Sequence, residues 1–314
     1  MRRPTITRRS GGRYFNSGLS LIELLIGLAI GMVLAIVGST IYLYSKNSYN
    51  AATETSQMEE NGRFALNLLS KYIQSAGFVM VDGASNLPQG PIDNKLTGCD
   101  LGFVNPTTPA SLADLACRTA TPAGELPSAS IALFAETDAY SLSGATYQGF
   151  DCVGMSAIPI TVATGTVVNE IRSYFVVTRT NVQTPTGTVP MGQLTCVSDR
   201  TPAAGAASFQ SQPLIPGVEQ LAFTYLLPSA ADPNTAQNAS TAAAVTAASQ
   251  WAAVLAVDVC VLTKSIQPGG NDTGTTYTDC YGNAIAAATG RAIARSEQPS
   301  DLETGPAHDD APAL

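Results

Sequence analysis

The sequence predicts an α+β protein, in which one long N-terminal helix packs its second half against an antiparallel β-sheet while its first half crosses a membrane. Three observations carry that expectation. The run from Leu19 to Tyr44 is apolar, with Glu23 its only Asp, Glu, Lys or Arg. No proline interrupts residues 19 to 87. Beyond residue 127, short β-patterned segments follow one another with no amphipathic helix of note between them, which favours antiparallel pairing over βαβ units.

The apolar run comes first. A helix needs ~20 apolar residues to cross a bilayer core, and this run is long enough. Arg2, Arg3, Arg8, Arg9 and Arg13 precede it with no acidic residue among them. That asymmetry predicts a cytoplasmic N-terminus and export of everything after Tyr44. Glu23 is the anomaly, because a carboxylate in hydrocarbon costs ~2.5–3.5 kcal/mol on insertion scales and needs a partner or a use. Taken alone, the run also suits a plain single-pass anchor, a secretory signal peptide or a buried core helix. Against the signal peptide, it is longer than a ~7–15-residue h-region and carries a charge inside.

A short basic leader followed by Gly18-Leu19-Ser20-Leu21-Ile22-Glu23 resembles the class III signal of type IV pilins and pseudopilins. The resemblance implies a type IV pilin-like fold and cleavage by a prepilin peptidase between Gly18 and Leu19. It also implies methylation of Leu19 and an assembly role for Glu23. There the carboxylate would pair with the α-amino group of a neighbouring subunit, neutralising two charges that are costly apart in lipid. Leu19 departs from the Phe usual in major pilins.

The helix is expected to continue through a polar stretch to about Gln74, with Gly77 as its stop. Phe64, Leu68 and Tyr72, flanked by Ala65, Leu69 and Ile73, form an apolar stripe at helical spacing. A helix of roughly 55 residues reaches ~80 Å at 1.5 Å per residue. Gly62 costs about 1 kcal/mol relative to Ala in a helix interior, and so marks a bend or a close contact. The block Glu59-Glu60-Asn61-Gly62-Arg63-Phe64-Ala65-Leu66, running on to Ser75-Ala76-Gly77-Phe78, resembles the PilW-type minor pilins. So does the later order Ile215-Pro216-Gly217-Val218, Phe223-x-Tyr225, then Trp251 leading into Val254 to Val259.

The predicted organisation is a leader over 1–18, a transmembrane and assembly helix over 19–44, and its periplasmic half over 45–77. A β-rich globular domain follows over 78–294, then a disordered acidic tail over 295–314. Within the domain, residues 82 to 127 read as an irregular loop region rich in Pro, Gly, Asn, Thr and Ala. Strand patterns follow at 130–135, 170–180, 192–198, 218–227 and 253–262. Leu221, Phe223, Tyr225 and Leu227 share one strand face, as do Leu255, Val257, Val259 and Val261. Residues 229 to 250 read as a surface loop with at most one short helix.

All six cysteines, Cys99, Cys117, Cys152, Cys196, Cys260 and Cys280, lie beyond the membrane run. An even count in an exported domain reads as a disulfide set of an oxidising periplasm. Fifteen pairings are possible, and sequential neighbours are the ones expected. No CxxC occurs, which argues against a thioredoxin-like site or a paired-cysteine zinc site.

Without the five leader arginines, the 16 basic side chains fall to 11 against 24 acidic ones, a net charge of −13. Such a domain is a poor nucleic-acid binder, since phosphate neutralisation draws on Lys and Arg. The sole histidine, His308, sits in the acidic tail, where no packing would hold an imidazole for catalysis. No GxGxxG or Walker-type loop appears. Asn271-Asp272-Thr273 after Gly269-Gly270 has the oxygen-rich character of a calcium-binding loop, but a plain turn is the favoured reading. No catalytic set and no cofactor is expected.

The PilW resemblance implies a non-catalytic minor pilin in the inner membrane with its domain in the periplasm. Its partners would be the prepilin peptidase, other minor pilins and the major pilin, in a priming complex that remains at the pilus tip beneath a large adhesin. A J-type pseudopilin of type II secretion shares the leader and the fold. A membrane-anchored binding protein or adhesin with an uncut leader is the alternative of another class.

Overall fold

The structure is a computed structural model. It describes residues 20–81, 96–137, 139–142, 145–161, 167–184, 187–201, 207–229, 235–265, 276–286 and 293–301. The chain divides into two compact units, Met1–Tyr49 and Asn50–Leu314. Helix α1 (Leu21–Ser75) contributes residues to both. In the first unit the described residues are helical from Leu21 onward, and every side chain is exposed.

In the second unit α1 buries one face. Met58, Gly62, Ala65, Leu66, Leu69, Ser70 and Ile73 are its buried residues, a stripe at three- and four-residue steps. The stripe is rotated from the one the sequence suggests: Phe64 stays 56% exposed, and Gly62 lies on the buried face. The adjacent Asn61 amide donates to the Pro216 carbonyl at 3.2 Å. The helix stops at Gly77, whose φ of +79° suits glycine and whose amide donates to the Phe134 carbonyl at 2.8 Å.

The strands follow in chain order. They are β1 (Leu96–Cys99), β2 (Ser130–Thr137), β3 (Ala139–Leu142), β4 (Ala145–Gln148), β5 (Ile158–Thr161), β6 (Val167–Thr184), β7 (Gly187–Asp199), β8 (Phe209–Pro216), β9 (Val218–Pro228) and β10 (Ala236–Ser240). After a short helix α2 (Ala242–Ala247) come β11 (Ala256–Lys264), β12 (Thr276–Thr278), β13 (Ala284–Ala286) and β14 (Ile293–Asp301). One sheet has the order β1-β2-β6-β7-β8, with β5 also on β6; a second has the order β10-β9-β11-β14. Every pairing is antiparallel. β12 with β13 and β3 with β4 form separate two-stranded ribbons. The α+β expectation therefore holds.

One core joins helix and sheets. Leu69 and Ile73 of α1, both fully buried, share a cluster with Ile131, Phe175 and Leu194 of the first sheet and Leu221, Val257 and Val261 of the second. Burying a Leu or Ile side chain is worth ~1.5–3 kcal/mol, so this face of α1 is a principal source of its anchorage. Tyr72 adds a tilted ring contact to Phe175, centroids 5.1 Å apart. The outer face of the first sheet carries a smaller cluster around Phe103, Leu115 and Tyr174, closed by edge-on contacts of Tyr174 with Phe103 and Phe134.

Disulfides join Cys99 to Cys117, Cys152 to Cys196 and Cys260 to Cys280. Elsewhere the sequence expectation is corrected. Residues 295–301, assigned to the disordered tail, belong to β14, which pairs along the whole of β11. Their polar composition is compatible with a strand because β14 is an edge, where Pro299 costs no interior ladder bond. Residues 302–314, with His308, lie outside the described residues. The 82–127 loop region yields β1, paired with β2, and the 229–250 loop yields β10, besides the one short helix expected there, α2. Asp100 caps α2, its two carboxylate oxygens accepting the Ala242 and Ala243 amides at 2.9 Å each.

Candidate functional site

The exposed apolar surface is concentrated in the first unit. Leu21, Ile22, Leu24, Leu25, Ile26, Leu28 and their large apolar successors to Tyr44 expose about half or more of their area, and this is the one described helix long and apolar enough to cross a membrane. Its few polar groups are satisfied from within. Ser39 Oγ donates to the Ala35 carbonyl at 2.7 Å and Thr40 Oγ1 to the Val37 carbonyl at 2.8 Å. That is what a helix in hydrocarbon needs, where no water is at hand for a stray hydroxyl.

Glu23 stands in the first turn of α1. Its Oε2 accepts the backbone amide of Ser20 at 3.3 Å. Ser20-x-x-Glu23 is thus the reciprocal half of a capping box, a signal present in the sequence and overlooked beside the rarity of the charge. Glu23 also begins a four-residue series with Gly27, Gly31 and Ala35, and an added Cβ at either glycine would meet nothing within 4 Å. Such small-residue stripes let another helix come close in lipid. Gly18 and Leu19, the expected cleavage and methylation site, lie outside the described residues, as does the candidate calcium loop at 271–273.

The remaining candidate residues, the cysteines, are structural in the second unit. Cys152 is bonded to the fully buried Cys196 of β7, and it sits in a turn organised by Asp151. The Asp151 carboxylate accepts the amides of Val153 and Met155 at 3.0 and 2.8 Å, the Ser198 hydroxyl, and Arg200 at 3.2 Å. One strand across, Arg172 bridges Glu170 at 3.0 Å and Asp199 at 3.1 Å. Burial pushes the neighbouring Tyr174 phenol well above its ordinary range, reinforced by Asp199. These carboxylates and guanidiniums are mutually neutralised and serve as fastenings between β6, β7 and the 149–156 loop. Among the described residues no group of three His, Cys, Asp or Glu is arranged to hold a metal.

The model of the family described as Type IV Pilus-assembly protein W, PilW, matches residues 173–298. Residues 173–298 are thus similar to the PilW family. The matched span opens in β6 at Ser173 and closes in β14, so it takes in β7, β8 and most of β6 from the first sheet, the second sheet into β14, Cys196 and the whole Cys260–Cys280 bridge. It also contains the Ile215 to Val218 and Trp251 to Val259 segments. No curated protein and no solved structure matches the chain. The match supports a part in type IV pilus assembly, and the apolar α1 fits a membrane-anchored protein with a C-terminal domain.

Proposed function

We propose that this chain is a PilW-type minor pilin, made as a prepilin in the inner membrane with its domain in the periplasm. Prepilin peptidase cuts between Gly18 and Leu19, and Leu19 becomes the methylated N-terminus. The protein then joins other minor pilins in the complex that primes filament growth and remains at the pilus tip. Its role is non-catalytic.

The observation that carries the reading is the union, in one chain, of a PilW-matched domain with an exposed apolar helix bearing Glu23 in its first turn. During assembly that helix leaves the bilayer for a bundle of pilin helices. Contacts with other helices replace contacts with lipid, the bare backbone at Gly27 and Gly31 allows close approach, and Glu23 sets register against a neighbour's α-amino group.

The test is the N-terminal residue and mass of the protein from cells with and without prepilin peptidase. The expected result is a start at methylated Leu19 that is lost without the peptidase. An intact Met1 leader in both strains would make this an ordinary anchored protein. Loss of twitching with enzyme secretion preserved, in a deletion strain, separates the pilus from a type II secretion pseudopilus.

A further inference from the structure

We infer that Tyr42, Lys46 and Tyr49 of α1 hold the phosphate of a phospholipid headgroup where the helix leaves the bilayer, which rests on the reading of α1 as a membrane anchor. All three belong to the first unit of the chain. Tyr42, Tyr44 and Tyr49 cluster at the end of the apolar run, exposed by 66%, 79% and 73%. Lys46 stands among them and is the only basic side chain between Arg13 and Arg63. Beyond Tyr44 the stretch Ser45-Lys46-Asn47-Ser48-Tyr49-Asn50 is polar throughout, while the helix continues unbroken.

Length along the helix sets the depth of these residues. At 1.5 Å per residue, α1 spans ~32 Å from Leu21 to Tyr42, against a hydrocarbon core of ~30 Å. Lys46 lies ~6 Å further out, inside the headgroup layers that bring the bilayer to ~40–45 Å, and Tyr49 stands at their outer limit. Each Cα–Cβ bond of a helix tilts toward its N-terminus, so the Lys46 and Tyr49 side chains lean back toward the lipid. The last hydroxyls before this level, those of Ser39 and Thr40, are already bonded to the Ala35 and Val37 carbonyls, as hydrocarbon requires.

Spacing brings the three side chains together. Tyr42, Lys46 and Tyr49 stand at i, i+4 and i+7, so they share one helix face with the cation between two phenols, and Tyr44 falls on the other side. No Asp or Glu stands three or four residues to either side of Lys46, so its own helix offers no carboxylate at pairing distance. A headgroup phosphate fits this face in each respect. The ammonium supplies the opposite charge, and the two tyrosine hydroxyls can donate to phosphate oxygens. The rings and the lysine methylenes stay against the acyl boundary. Rings alone would make an ordinary aromatic belt; the single cation on their shared face is what selects an anion. Depth selects its source, because this is the layer in which lipid phosphates are concentrated.

The test uses the full chain, with ¹⁵N-labelled lysine side chains, in nanodiscs of phosphatidylethanolamine and phosphatidylglycerol. Solid-state NMR reads the dephasing of each lysine ammonium nitrogen by lipid phosphorus. One signal among those of Lys46, Lys71, Lys95 and Lys264 is expected to lose most of its intensity, and that signal should be absent from Lys46→Met. The double variant Tyr42→Phe, Tyr49→Phe is expected to halve the dephasing. An undephased Lys46 signal overturns the inference, as does full dephasing in the double variant. Nanodiscs of a phosphate-free galactolipid, with inorganic phosphate in the buffer, should give no dephasing; dephasing there would mean a free-anion site, and the headgroup assignment would fall. A spin label at the lipid tail ends separates the two ways of failing. It should broaden the ¹³C signals of Ile30 and Leu34 in every variant, and if it does not, the membrane reading itself falls. If it does while Lys46 stays undephased, only the headgroup contact falls.

Discussion

Glu219 of β9 forms an ion pair with Arg179 of β6, and its second oxygen accepts the Gly192 amide of β7 at 3.1 Å. One side chain from the second sheet is therefore bonded to two adjacent strands of the first. Gly192 has no side chain because a Cβ there would collide with the Val218 carbonyl, so the backbones of β7 and β9 meet at this point. Together with the shared apolar cluster, this contact makes one body of two sheets.

Removing Arg179 should therefore cost more than its own exposure suggests. Glu219 is 5% exposed and would be left as a buried charge held by one amide. Breaking a buried pair costs ~3–5 kcal/mol, and the partial exposure of Arg179 argues for the low end. Arg179→Met is expected to lose about 3 kcal/mol in unfolding of the full chain in micelles. Glu219→Gln, which keeps an acceptor for Gly192, should lose only ~1.5 kcal/mol. The double variant should be less damaged than the sum. Strict additivity would mean that the two side chains are not coupled.

The three disulfides should not be equivalent. Cys152–Cys196 closes 44 residues, against 18 and 20 for the other two. Loop-closure entropy alone ranks it at ~4 kcal/mol against ~3 kcal/mol. It also ties the Asp151 turn to a fully buried position of β7. Paired Cys→Ala variants should give the largest loss of thermal stability for 152/196. A larger loss for 99/117 would shift the weight from the core sheet to the β1 edge.

Acid should act on Glu136 in the reverse of the usual sense. Burial raises its carboxyl above the ordinary 4.5, so the folded state binds a proton that the unfolded state has lost. That contribution is fully present below the unfolded value and is lost as pH rises through the raised one. Glu136→Gln should thus stabilise the protein at neutral pH, with the difference from wild type vanishing below about pH 4. Asp114, held low by the Ala110 and Ser111 amides, works in the opposite direction. Only the difference between the two unfolding curves isolates Glu136, and a difference independent of pH would contradict its raised titration.

Much of this fold was legible in local pattern. Alternation marked β9 and β11, apolar or β-branched composition marked β2 and β6 with β7 as the expected partner of β6, and the unbroken apolar run marked α1. What was not legible depends on partners distant in sequence. β14 reads Ile-Ala-Arg-Ser-Glu-Gln-Pro-Ser-Asp, a polar stretch whose strand exists only because β11 offers an edge. β1 is four residues in a Pro/Gly-rich region, fixed by β2 and the Cys99 bridge. Phe64 satisfies the helical period as well as Leu66 does, and only the docking of α1 decides which is buried.

The capping contact of Glu23 and its proposed pairing role can be separated by choosing the substitution. Its carboxylate accepts the Ser20 amide within the chain, and an amide oxygen could do the same. Pairing with a neighbour's α-amino group needs the negative charge itself. Glu23→Ala removes both contributions, whereas Glu23→Gln keeps the helix start and removes the charge. If the proposed processing and charge pairing operate, both variants should be cleaved after Gly18 as the wild type would be, and both should be depleted from sheared pili. Immunoblots of the sheared and membrane fractions, with N-terminal sequencing of each, make the comparison. If Glu23→Gln enters pili normally while Glu23→Ala does not, the residue works as a cap on α1, and the register of the assembled helices must be set by the packing of the Gly27 and Gly31 face instead.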